Sequence, residues 1–486
     1  MTMEIVQDLE LRIESLCRRL AHAQWIQLTQ GDASGVTALD DERGGIYGDA
    51  QTLAALQAMP DSPADTALNR RRDMVTREML REAVRADPSI ANEATRIASK
   101  MASARTHLEG AAVGDAEIQE ILEQDPSPIR REAAWRARVN GSTALAADLV
   151  ALARRRDDRA RALGFDGYYA LGLVVADIPD LDRLLDELAE AVGRPAQSRA
   201  PWDLTYALSA PPTDPLPAQR AVACALETFE SMGLSLAGVT LDLEAREGKS
   251  EHAWCVPVSP PSDIRVSAVV TRDGPSAWET LLHELGHAAH AVHVSGPHFL
   301  LRDAPNDATH EGLAQLFASL VWEPAWLQDV AGLDATTAET MAAYGRRRRQ
   351  GAMRWWLLRA RVEEALLRGD DPTEAYWGLA EQLVGVDVDA QTRTLPAWSR
   401  WPHLATHPVY LQNYPVADLV AAQVAQTLSQ RFGHWWRSKE AGAHLRDNFI
   451  GPGANRGMDA LVRATTGQRL SAKAYAANWL PAKTAG

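Results

Sequence analysis

At 486 residues the chain is long enough for two or three average domains or one large unit, and its composition, 46% hydrophobic and 23% charged, is that of an ordinary soluble globular protein. A net charge of −14 disfavours a nucleic-acid partner, and no apolar run approaches the ~20 residues needed to span a bilayer, so no membrane partner is expected. The three cysteines, Cys17, Cys224 and Cys255, are far apart and odd in number, which argues against a disulfide framework and for a reducing cytoplasm.

The amino-terminal stretch MTMEIVQDLELRIESLCRRL is amphipathic and carries acids without a continuous apolar core, unlike a secretory signal. Apolar positions spaced by three and four predict helices over 3–30 and 65–87. Residues 127–164 predict one long helix, or two joined at Asn140-Gly141. Further helices are expected at about 178–194, 216–232, 335–368, 372–384 and 409–430. Only 239–246 and 263–270 look like strands, because β-branched residues recur there. Breaks rich in proline fall at 195–218 and 256–262. Arginine runs at Arg70 to Arg72, Arg154 to Arg156 and Arg346 to Arg349 ring their helices, since successive positions point ~100° apart. They read as solvated or salt-bridged surface. The fold expected is mostly α, with a small sheet placed just before a cluster of histidines.

That cluster is TLLHELGHAAHAVH, residues 280–293, in which His283, Glu284 and His287 spell H-E-x-x-H. Ser276-Ala-Trp-Glu279 reads as a capping box, so a helix should begin at about 276 and run through the cluster. On it His283 and His287 share a face one turn apart, and both can reach one Zn²⁺ at ~2.0–2.1 Å. Glu284 sits one position round, too far off-face to ligate but close enough to hold a water beside the metal, as a general base must. The bland reading is a pair of surface histidines on an amphipathic helix. Leu281, Leu282, Leu285, Ala288, Ala289 and Ala291 argue against it by making the helix apolar nearly all round. Buried histidines and a buried glutamate need partners, and a metal is the economical one.

The third ligand decides the class of site. His290 shares the face, but its Cα lies ~10 Å along the axis from His283, too far for three side chains to converge. His293 stands ten residues after the first histidine, the metzincin position, which requires a turn that glycine makes and that His290 here does not. Both read as packing residues or supports. Glu311, in NDATHEGLAQLFASL, is the better candidate. It lies on a second helix expected over 307–320, where Leu313, Leu316, Phe317 and Leu320 predict burial. A buried carboxylate must be paired or coordinated.

LLHELGHAAH, followed 24 residues after the second histidine by Glu311 in THEGLAQLFASL, resembles the gluzincin peptidases of the angiotensin-converting enzyme and thimet oligopeptidase/oligoendopeptidase F group. EHAWCVPVSPPSDIRVSAVV resembles their substrate-binding edge strand, IRREAAWRARVN with RARALGFDGYYAL their amino-terminal helices, and HLATHPVYLQNYPVADLVAAQV their tyrosine-bearing late helix. The resemblance implies one zinc per chain held by His283, His287 and Glu311, with Glu284 as general base and proton shuttle. It implies Tyr414 as the oxyanion donor, assisted by His403 or His407 with Tyr410 beside them. It further implies His252-Ala253 as a contact to the substrate backbone and Gln315 as a support of the ligands. The architecture implied is a single peptidase unit, 1–486, whose helical lobes at about 1–235 and 236–486 flank a deep cleft. The lysine that holds the substrate carboxylate in converting enzymes has no match, and Arg400 and Trp401 stand near its expected position. The fifteen tryptophans, Trp355-Trp356 and Trp435-Trp436 among them, read mainly as core.

The activity expected is zinc-dependent hydrolysis of peptide bonds in short oligopeptides in the cytoplasm, with the peptide paired to the strand at 263–270. The alternative is a dedicated biosynthetic or carboxypeptidase-type amide hydrolase with one substrate on the same machinery. A non-enzymatic scaffold is disfavoured by the intact set of His283, Glu284, His287 and Glu311. Substrate identity and oligomeric state are not legible.

Overall fold

The computed structural model describes residues 2–208 and 215–481, so the 209–214 part of the expected proline-rich break lies outside the described residues. Among them are twenty-two α-helices and five short strands, the mostly α fold expected. The first helix, Thr2–Gln30, buries Val6, Leu9, Ile13 and Leu16, the spacing that its sequence periodicity prescribes. Thr66–Arg85 and Ala335–Arg368 start where aspartates can cap them: Asp65 accepts from the Leu68 amide and Asp334 from that of Thr337. The stretch 127–164 is two helices, Pro128–Asn140 and Thr143–Ala162, with the break at Gly141-Ser142. The helix expected from 409 begins only at Asn413 and runs to Phe432, preceded by a single turn, His403–Thr406. Between them Val409 has a φ of 57°, left-handed backbone that a β-branched residue in a helix cannot have.

The strands are β1 (Thr106–Leu108) and β2 (Ala111–Val113), an unanticipated hairpin, and β3 (Val239–Asp242), β4 (Trp254–Ser259) and β5 (Asp263–Ser267). The three-stranded sheet has the order β3-β5-β4, with β5 parallel to β3 and antiparallel to β4. Two expectations fail here. Much of the 256–262 break is strand, because Pro257 sits in an edge strand where its missing N–H costs no ladder bond. The 263–270 segment is central and bonded on both sides, so it has no edge to offer a peptide. The edge beside the histidine helix belongs to β4.

One large core runs through residues from Val84 to Leu480, on both sides of position 235, and a smaller one joins Val6 to Leu80. The first helix lies on β4 through Ala21, Trp25 and Leu28 against Val256 and Val258. A cavity of about 520 Å³ lies between that helix, Thr66–Arg85, β4 and the histidine helix. The arginine runs are not all surface: Arg71 is buried against Glu10 at 2.8 Å, and Arg156 is buried with its guanidinium donating to the Leu404 carbonyl at 2.6 Å. No described helix is long and apolar enough to cross a membrane.

Candidate metal centre and catalytic groups

The histidine helix spans Pro275–His293, but the expected capping box does not form. Gly274, with no side chain to offer, is the N-cap, and Glu279 is drawn away to accept from the Trp322 indole at 3.0 Å and the Arg348 guanidinium at 2.9 Å. Leu281, Leu282, Leu285, Ala288 and Ala289 are fully buried, as the apolar surround predicts. Gly286 sets the next step. A Cβ there would stand 2.7 Å from the Cα of Ala314, so only glycine lets this helix lie directly on Asp307–Ala318. That second helix is capped by Asn306, whose side chain accepts from the Thr309 amide.

The close approach brings three donors together. His283 Nε2 lies 3.2 Å from His287 Nε2 and 3.4 Å from Glu311 Oε2, and His287 Nε2 lies 4.0 Å from Glu311 Oε1. Zinc bonds of ~2.0–2.1 Å at tetrahedral angles set donors about 3.3 Å apart, so the donor set fits that ion with little adjustment. Burial works against charge on His283, but the hydrogen bond and charge of Glu311 outweigh it and hold its pKa above the ordinary value. Burial drives His287 well below the usual imidazole range, so it is neutral and free to ligate. Glu284, only 7% exposed, is pushed up to about 7 by burial, partly offset by His283 and by the Cys255 amide, which donates to its carboxylate. A carboxyl with that pKa exchanges protons readily near neutrality. The Cys255 bond also brings the edge of β4 to the site.

His310 was not singled out by the sequence, yet its Nε2 lies 3.2 Å from His287 Nδ1. Its signal was a polar residue directly before Glu311 on an otherwise apolar helix. Gln315, expected as a support, makes no side-chain hydrogen bond among the described residues. His290 meets His310 edge to face, with ring centres 5.2 Å apart, and His293 turns away to the Ser235 carbonyl at 3.1 Å.

A second close approach joins the glutamate helix to the tyrosines. A Cβ on Gly312 would meet Val420 at 2.8 Å, so Asp307–Ala318 packs tightly on Asn413–Phe432. Tyr414 Oη lies 3.4 Å from His403 Nε2, and its ring stacks on Trp356 at 4.2 Å. Tyr410 stands with its ring centre 5.6 Å from Tyr414 and 6.0 Å from His403. His407 instead bonds Thr406 Oγ1 at 2.9 Å, so of the two late histidines His403 is the one at Tyr414. Burial holds His403 down to about 4 and raises both tyrosines, which also feel the charge of Glu311. This arm is braced from outside: Arg156 binds the carbonyls of Leu404 and Ala405, and Glu363 accepts from the amides of Val409 at 2.9 Å and Leu411 at 3.4 Å.

Other expected residues are not brought in. His252 is exposed beside Ala253 ahead of β4, and no hydrogen bond or ring contact among the described residues ties it to the metal ligands. Arg400 pairs with Asp115, Trp401 is buried, and Trp435 and Trp436 are core. No family model matches this chain, and no curated protein matches it.

Proposed function

We propose that this protein is a zinc-dependent peptidase that hydrolyses peptide bonds in short peptides. The observation that carries the reading is the 3.2 and 3.4 Å spacing of His283, His287 and Glu311 around a point a tetrahedral ion would occupy, with Glu284 beside it. When bound, zinc supplies a Lewis acid that polarises the scissile carbonyl and activates water. Glu284 takes a proton from the attacking water at its carboxylate and returns it to the leaving amine, and burial suits its pKa to both transfers. Tyr414 donates its phenolic proton as a hydrogen bond to the developing oxyanion, with His403, neutral at working pH, fixing the direction of that O–H. The edge of β4 offers main-chain bonds to an extended substrate.

A second reading, one dedicated substrate, draws on the cavity of about 520 Å³, which has the volume of a small-ligand site and reaches the proposed metal through His287, although neither Glu284 nor Tyr414 lines it. Digestion of a random peptide library with and without chelator, read by mass spectrometry, separates the two. Chelator-sensitive cleavage of many sequences supports the general peptidase. Cleavage of none, by a protein that holds zinc, overturns it in favour of the dedicated amide hydrolase.

A further inference from the structure

His290 is only 5% exposed, yet neither of its ring nitrogens has a hydrogen-bond partner among the described residues. Those nitrogens are not sealed in the interior but open onto the adjoining cavity, where a ligand can reach them. Its ring lines the 520 Å³ cavity and faces His310, which lines the same wall. Asp303, on the loop before the glutamate helix, joins them there with a carboxylate engaged only by the amide of Ala304, at 2.7 Å. One donor atom from each of His290, Asp303 and His310 lies within 4.8 Å of the other two.

We propose that His290, Asp303 and His310 form a second transition-metal site, separate from His283, His287 and Glu311. Two imidazoles and one carboxylate select zinc, cobalt or nickel over calcium and magnesium, which require oxygen ligands. A cation there would take one lone pair from each of the three residues.

The two sites oppose each other, a point that rests on the zinc reading of the first. Ligation through His287 Nε2 leaves the proton on Nδ1, which donates to His310 Nε2 across 3.2 Å. His310 Nε2 then spends its lone pair on that bond, and to ligate through this atom it must withdraw the acceptor from His287. Loss of such a supporting partner weakens metal binding ~10–100-fold, and linkage makes the weakening mutual.

The test is equilibrium dialysis of the chelator-stripped full chain against Co²⁺ and against Zn²⁺, with metal per chain measured by mass spectrometry. The wild type should bind two equivalents in two steps. Asp303→Ala, at an exposed position, and His290→Gln should each lose the second step and keep the first. His283→Ala, which leaves the cluster untouched, should keep one equivalent and bind it more tightly than the wild-type second step. A single wild-type step that vanishes in His283→Ala overturns the proposal, as does a second step that survives both Asp303→Ala and His290→Gln. A single step that vanishes in Asp303→Ala but survives His283→Ala supports the second site and overturns the first.

Discussion

The histidine helix with its glutamate neighbour and the tyrosine arm over 403–414 carry the two halves of the proposed chemistry, and they are held in opposite ways. His283, His287 and Glu311 sit on regular helices whose close approach depends on Gly286 lying against Ala314. Tyr410, Tyr414 and His403 straddle an irregular segment with a left-handed Val409, held by Arg156 and Glu363 reaching in from distant helices. Regular backbone thus supplies the ligands that tolerate least displacement. Buried Arg156 and Glu363 hold the arm, whose proposed hydrogen bond counts mainly in the transition state.

The largest effect should fall on the helical half. Glu284→Gln keeps size and hydrogen bonding but cannot accept the water proton, so turnover should drop ~10²–10⁴-fold while zinc content stays unchanged. Metal loss in this variant would show that Glu284 ligates, and the division of roles within the helix would be wrong. On the arm, Tyr414→Phe should lower kcat by ~10²-fold with little change in KM and none in metal content. An unaltered kcat would move the donor role to Tyr410 or His403.

The bracing of the arm makes a pH prediction. Burial raises the Glu363 carboxyl from 4.5 up to about 7, although backbone amides pull it back. The folded chain therefore keeps this proton where the unfolded chain has lost it. The stability gained is fully present below pH 4.5 and is lost as pH rises through 7, about 3 kcal/mol at ~1.36 per unit. Glu363→Gln should remove this loss, so the variant gains on the wild type in urea unfolding between those limits. A constant difference across the range would mean that Glu363 is ionised throughout.

The smallest effect separates a helix joint from a free helix. Alanine normally stabilises a helix by ~1 kcal/mol over glycine. Gly44→Ala, where an added Cβ meets nothing within 4 Å, should show that gain. Gly286→Ala meets backbone that cannot yield and should instead cost about 1–3 kcal/mol, with weaker zinc binding. Equal gains at both positions in thermal unfolding would dissolve the joint.

The same contrast governs what the sequence could reveal. Periodicity alone locates Thr2–Gln30, Thr66–Arg85 and Ala335–Arg368 to within a residue or two, and it brings His283 and His287 to one face. Glu311 is legible as a charge in an apolar helix. The β4 edge is hidden because Pro257 and its neighbours carry turn signals that tertiary packing overrides. The failed capping box at 276–279 has the same origin, since Glu279 finds Arg348, a partner 69 residues away. His310 and the braces at Arg156 and Glu363 are invisible for that reason: each acts on residues far along the chain. His252 shows the converse, a motif position with no geometry behind it.

The braces tie the arm to distant parts of the chain. Residues 403–412 hold no regular structure of their own beyond a single turn, and the groups that pin them come from Thr143–Ala162 and Ala335–Arg368. Glu363 grips the amide of Val409 in its disfavoured backbone, so the conformation of this arm depends on groups far along the chain. A fragment beginning after Arg156 would carry every proposed ligand and both tyrosines, and would still lack the grip on Leu404 and Ala405 that seats them.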